Sequence, residues 1–70
     1  MDAEKLKALC EKRGLSIAAL ERKSDLANGT IRAWLSGSEP TLENVLKVAR
    51  ALQVPLEMLL KDGENYGKRK

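Results

Sequence analysis

Seventy residues, 43% of them hydrophobic but with one Trp, one Tyr and no Phe, make a single small domain that must commit nearly all its apolar residues to one aliphatic core. Little is left for a deep substrate pocket. With no His, a single Cys and no glycine-rich phosphate loop, the residue sets for most catalytic and metal chemistry are missing as well, so neither an enzyme nor a cofactor or metal is expected. The net charge of +3 permits a polyanionic partner without requiring one.

Cys10 has no cysteine to pair with, which fits a reducing, cytoplasmic setting. No stretch resembles a signal peptide or a membrane span. The basic surplus lies in residues 1–38 and in the last ten residues, and the segment between them is net acidic.

The first predicted helix runs from about Asp2 to Lys12. Leu6, Leu9 and Cys10 share its apolar face, so Cys10 reads as a small core residue. Gly14 stops the helix. Ser16 caps a second, short helix through Lys23, with Ile17 and Leu20 as its apolar side. Ser24 and Asp25 break the run, and Leu26 returns to the core. A third helix is predicted from about Asn28 to Ser36. Ile31, Trp34 and Leu35 lie at i, i+3 and i+4 and are buried, leaving Thr30, Arg32 and Ala33 on the other side. Gly37 ends it, and 36–40 is a loop by composition. Thr41 caps a fourth helix whose Leu42, Val45, Leu46, Val48, Ala49 and Leu52 form a broad apolar face, with Lys47 and Arg50 outside. Pro55 opens a fifth helix over Leu56–Leu60. The polar residues that follow, with Gly63 and Gly67, predict a flexible tail. The expected organisation is an all-α, compact five-helix bundle over residues 1–61 with a tail over 62–70.

The informative segment is Gly14 to Gly37. Two short helices joined by the turn Ser24-Asp25-Leu26 have the proportions of a helix-turn-helix, whose second helix can lie in the major groove of DNA. Asn28 can pair bidentately with adenine, and Arg32 with guanine or a phosphate. Gly29 and Ala33 carry no hydrogen-bonding side chain; they permit close approach, and Ala33 can touch a thymine methyl. So thin a reading head predicts modest affinity and a large share of shape readout. Each feature has a bland counterpart: Asn28 as a helix cap, Arg32 as a solvated side chain, Trp34 as core.

The residues Gly14-Leu15-Ser16, Leu20, Leu26, Thr30-Ile31, Trp34 and Gly37 resemble the phage repressor and Cro type of helix-turn-helix domain. The likeness continues through Pro40-Thr41-Leu42 to Leu52, then Val54 and Leu59-Leu60, covering about residues 3–60. The run from Asn28 to Trp34 is similar to a subgroup found in repressors of phages and mobile elements of bacteria. The resemblance implies a lambda-repressor-like fold and a transcriptional regulator of double-stranded DNA. It implies base contacts at Asn28, Gly29 and Ala33, with Arg32 close by. The candidate phosphate contacts are Ser16 and Ile17 at the start of the second helix, and Lys12, Arg13, Thr30, Ser36 and Ser38 flanking the recognition helix on both sides. It also implies a two-fold homodimer, with Val54, Leu56, Met58 and Leu60 as candidate interface residues; the alternative for these four is closure of the monomer core. Neither a membrane nor a small-molecule ligand is implied as partner. The tail Lys68-Arg69-Lys70 either adds nonspecific attraction or only solubilises the chain end.

Three positions depart from the family pattern. Ile17 stands where many members carry a phosphate-clamping Gln. Glu21 stands where an Ala often allows close helix contact. Asp25 stands where the turn commonly has Gly, and Asp tolerates the left-handed conformation less freely. The last two imply a different angle between the two helices. The rival reading is a helix-turn-helix used as a protein-interaction module, antitoxin-like or adaptor-like.

Overall fold

The computed structural model describes residues 1–63. Four α-helices follow in order, α1 (Ala3–Lys12), α2 (Ile17–Lys23), α3 (Thr30–Leu35) and α4 (Leu42–Leu52), and then a single 3-10 turn at Leu56–Leu59. The class is the all-helical one expected, with one difference: the fifth element is a 3-10 turn entered from Pro55 as its cap. Four residues followed by an extended Leu60 leave no length for an α-helical ladder. The expected tail falls largely on residues 64–70, outside the described residues, as do Gly67, Tyr66 and Lys68-Arg69-Lys70.

Side-chain caps start three of the helices. Asp2 accepts hydrogen bonds from the N–H groups of Glu4 at 3.0 Å and Lys5 at 3.3 Å. Ser16 Oγ accepts from the Ala19 N–H at 3.1 Å, and Thr41 Oγ1 from the Asn44 N–H at 3.3 Å. α1 therefore begins one residue later than its pattern suggested, because Asp2 is the cap.

All four helices end alike. A residue of positive φ follows each, namely Gly14, Asp25, Gly37 and Gln53. The next residue's N–H reaches back to close the helix: Leu15 to the Cys10 carbonyl, Leu26 to Glu21, Ser38 to Ala33 and Val54 to Ala49, at 2.9–3.0 Å. This closure satisfies carbonyls that a helix end would otherwise leave orphaned. It also turns the chain inward, since Leu15, Leu26 and Val54 then pack against the core.

That core is aliphatic. Leu6, Leu20, Ile31, Val45, Val48, Leu52 and Leu59 are fully buried, with Leu9, Cys10, Trp34 and Ala49 around them. α4 packs against α2 and against the 3-10 turn, which also covers α1, while α2 holds α3. The chain's start is fastened to the 3-10 turn by two bonds. The Asp2 N–H donates to the Leu59 carbonyl at 2.8 Å, and Lys5 Nζ to the Leu60 carbonyl at 2.7 Å. α2 and α3 are thus mounted on a frame made by the other three elements.

Candidate nucleic-acid interface

α2 and α3 form the helix-turn-helix. The connection between them runs from Ser24 to Gly29, longer than the three-residue turn expected, because α3 starts at Thr30 and not near Asn28. It opens with Asp25 at φ 61°, the left-handed conformation that Gly commonly supplies and that Asp adopts at moderate cost. Leu26 then dips toward the core and is half-buried.

Asn28 is not the cap of α3. Gly29 holds that position, with φ 91°, and has no side chain to offer. The capping group comes from α2. Glu21 is only 3% exposed, and its carboxylate reaches across to the start of α3. Oε1 accepts from the Gly29 N–H at 3.0 Å, and Oε2 accepts from the Ile31 N–H at 2.8 Å and the Arg32 N–H at 3.4 Å. The Gly29 N–H is the largest influence holding the Glu21 carboxyl below the usual glutamate range. Burial opposes it, and the Ile31 and Arg32 N–H groups and the Arg32 charge reinforce it. A buried carboxylate is tolerable here because backbone donors and a helix end of positive polarity replace its water. Sequence reasoning noted Glu21 only as a departure from a small residue. Its role was hidden because its partners lie eight to eleven residues away.

Arg32 and Ala33 are exposed on α3, and Ser36, exposed at its end, lies one turn further along the same edge. Thr30 and Gly29 are half-buried, and Asn28 is exposed in the connection. The opposite face of α3 carries Ile31 and Trp34, both buried, so Trp34 is core and no platform for bases. Lys12, Arg13 and Ser16 are exposed at the corner between α1 and α2, and Ser38 is exposed in the loop after α3. Ile17 differs from expectation. Its side chain is half-buried and packs against the core, so an apolar group turned inward stands where the family's clamping amide would be. Of the four dimer candidates, Val54 and Leu56 pack against the core and Leu60 is half-buried. Met58, 46% exposed, is the one whose side chain is largely free of the core.

Burial pushes the Cys10 thiol up, away from the reactive thiolate. Among the described residues, no group of three or more acidic or thiol side chains is placed to hold a metal ion, and no helix is long and apolar enough to cross a membrane.

A helix-turn-helix family model matches residues 6–59, which takes in α2, α3, α4 and the 3-10 turn. No curated protein and no solved structure gives a significant match. With more than half of the chain covered and the two helices seated as described, the protein belongs to the Cro/C1-type helix-turn-helix family of DNA-binding regulators.

Proposed function

We propose that this domain is a cytoplasmic, sequence-specific reader of double-stranded DNA, a repressor of the phage or mobile-element type, with α3 lying in the major groove. The observation that carries this reading is the edge of α3. It presents Arg32, Ala33 and Ser36 to solvent, while Ile31 and Trp34 fix its other face in the core. A helix so mounted can enter a groove without giving up its packing.

In this reading Arg32 pairs with guanine and Asn28 with adenine. Ala33 supplies apolar contact to a thymine methyl, and Gly29 contributes only the room left by its missing side chain. Ser16, Thr30, Ser36 and Ser38, with Lys12 and Arg13, take phosphates on either side. Ile17 adds no side-chain clamp. A second copy meets the first through the region of Met58, so that two recognition helices address two half-sites.

Selection of bound duplexes from a random pool at near-physiological salt tests the proposal. An enriched motif with two-fold symmetry supports a dimeric reader and gives its half-site spacing. A single enriched half-site supports a monomeric reader. Absence of enrichment, with binding that vanishes as salt rises, leaves only counterion-driven attraction. That outcome transfers the assignment to a protein-interaction module, the reading favoured by a head with just two hydrogen-bonding base readers.

A further inference from the structure

We infer that Glu21 is the positioning residue of the recognition helix, an inference that rests on the DNA-binding reading above. It sets where Asn28, Arg32 and Ala33 stand relative to the groove, and it closes the start of α3 to phosphate, without touching DNA itself.

α3 is short. Six residues are too few to hold a helix by their own hydrogen bonds, so contacts from outside determine its placement. Ile31 and Trp34 fix its depth in the core. Hydrophobic contact is non-directional and does not by itself fix how the first turn is aimed. Hydrogen bonds do, and here three of them converge on one side chain. The N–H groups of Gly29, Ile31 and Arg32 all donate to Glu21. The Thr30 N–H donates to the Ala27 carbonyl at 3.1 Å, and the Ala33 N–H starts the helical ladder on Gly29 at 3.0 Å. Every backbone donor from Gly29 to Ala33 is therefore occupied within the protein.

Two consequences follow. The candidate base readers Asn28, Gly29, Arg32 and Ala33 are, or directly adjoin, the residues whose N–H groups the carboxylate holds, Gly29, Ile31 and Arg32, so loosening it moves them together. Reading geometry tolerates errors of only about half an ångström. The carboxylate also offsets the positive end of α3 with a full negative charge. A DNA phosphate approaching that end finds no free N–H and an acid behind it. Leu20, the preceding residue and fully buried, anchors α2 in the core, so the side chain that holds α3 is itself mounted on a packed helix. At 3% exposure Glu21 itself is out of reach of a base or phosphate.

The test uses the 70-residue protein, Glu21→Gln, and Val48→Ala as a control that loosens the core in α4 and leaves these bonds alone. Gln keeps the length of the side chain but has one acceptor oxygen and no charge, so it cannot serve both Gly29 and the Ile31–Arg32 pair. Amide exchange is measured in the wild type and in each variant. Affinity is measured for the selected duplex and for a random one. In the wild type the Gly29, Ile31 and Arg32 amides are protected. In Glu21→Gln they exchange faster, and preference for the selected duplex falls about tenfold, the scale of one mismatched base pair. Random-duplex affinity is unchanged or tighter, because a negative charge has gone. Val48→Ala keeps the preference ratio. Glu21→Gln with an unchanged ratio, or with both affinities falling in proportion as in a loosened fold, overturns the positioning role. Wild-type amides that exchange freely at these three positions overturn it even if the variant does not fold. A wild type with no preference for any duplex sinks the DNA reading and this inference together, whereas a selective wild type with an indifferent Glu21→Gln sinks this inference alone.

Discussion

Arg32→Ala separates base reading from simple charge attraction. The side chain is exposed on α3 while the Arg32 backbone N–H is held by Glu21, so truncation removes the guanidinium and leaves the helix in place. Ala is the better helix former by a few tenths of a kcal/mol at most, and the lost attraction to the Glu21 carboxylate acts the other way. The thermal midpoint should stay within roughly 3 °C of wild type, the scale of an ordinary surface substitution in a domain this small. If the guanidinium pairs with a guanine, the selected duplex loses about 1–3 kcal/mol. That is roughly a 5- to 150-fold weaker complex, and a random duplex is affected far less. If it clamps a phosphate instead, both duplexes weaken together, and the slope of log affinity against log salt falls by about 0.9. Anisotropy titrations with both duplexes at several salt concentrations distinguish the two. Unchanged affinity for both duplexes at every salt concentration removes Arg32 from the interface and the thin reading head with it.

Trp34→Ala should destabilise the domain by about 3–5 kcal/mol, the usual cost of emptying a buried aromatic site. In a chain this short that suffices to unfold much of the population, and denaturant titration by circular dichroism checks it; a solvent-like Trp emission in the native protein would contradict its burial. Gln53→Gly should stabilise by about 0.5 kcal/mol, since relief of a left-handed non-glycine residue, about 1 kcal/mol, exceeds the added freedom of the unfolded chain; a lower midpoint would show that the Gln side chain contributes something its exposed position hides. Glu21 makes stability depend on pH in a definite direction. Its folded-state pKa is depressed, so its contribution is complete above the ordinary glutamate value and is lost as pH falls through the folded one. Acid titration of wild type and Glu21→Gln should therefore show the two midpoints converging below the usual glutamate range, and a gap that persists there would assign the effect to shape and not to charge.

The sequence disclosed the helices because their apolar residues recur at helical spacing and Ser16, Thr41, Gly14 and Gly37 punctuate them. Leu6, Leu20, Ile31 and Val45 fall in the core for the same reason. Two kinds of feature escaped. Helix ends at Asp25 and Gln53 use the left-handed conformation in residues that do not advertise it, although the tolerance of Asp for it was visible. The start of α3 was displaced because Asn28 is a good capping type and no apolar residue before Ile31 marks the true first turn. Glu21 escaped for a different reason. A mid-helix glutamate reads as solvated unless its long-range partners are known, and these are backbone groups, which leave no mark on the residue pattern. The sole trace was a charged residue where the family often has a small one.

The closed start of α3 bears on how such a domain can be specific at all. In the proposed reading, Asn28 and Arg32 are the two base readers able to hydrogen-bond, each worth about 1–3 kcal/mol of discrimination. No backbone donor of the first turn remains to add a phosphate anchor there. One copy then prefers its site over random DNA by a few orders of magnitude at most, whereas a genome offers a vast excess of competing sites. Two copies on paired half-sites double that preference in free energy, and bending or groove narrowing between the half-sites adds discrimination at positions no side chain touches. The thin head therefore argues for pairing more strongly than the half-buried apolar residues near Met58 do. It also predicts that base changes between the half-sites, away from any contact with α3, alter affinity through the stiffness of the DNA.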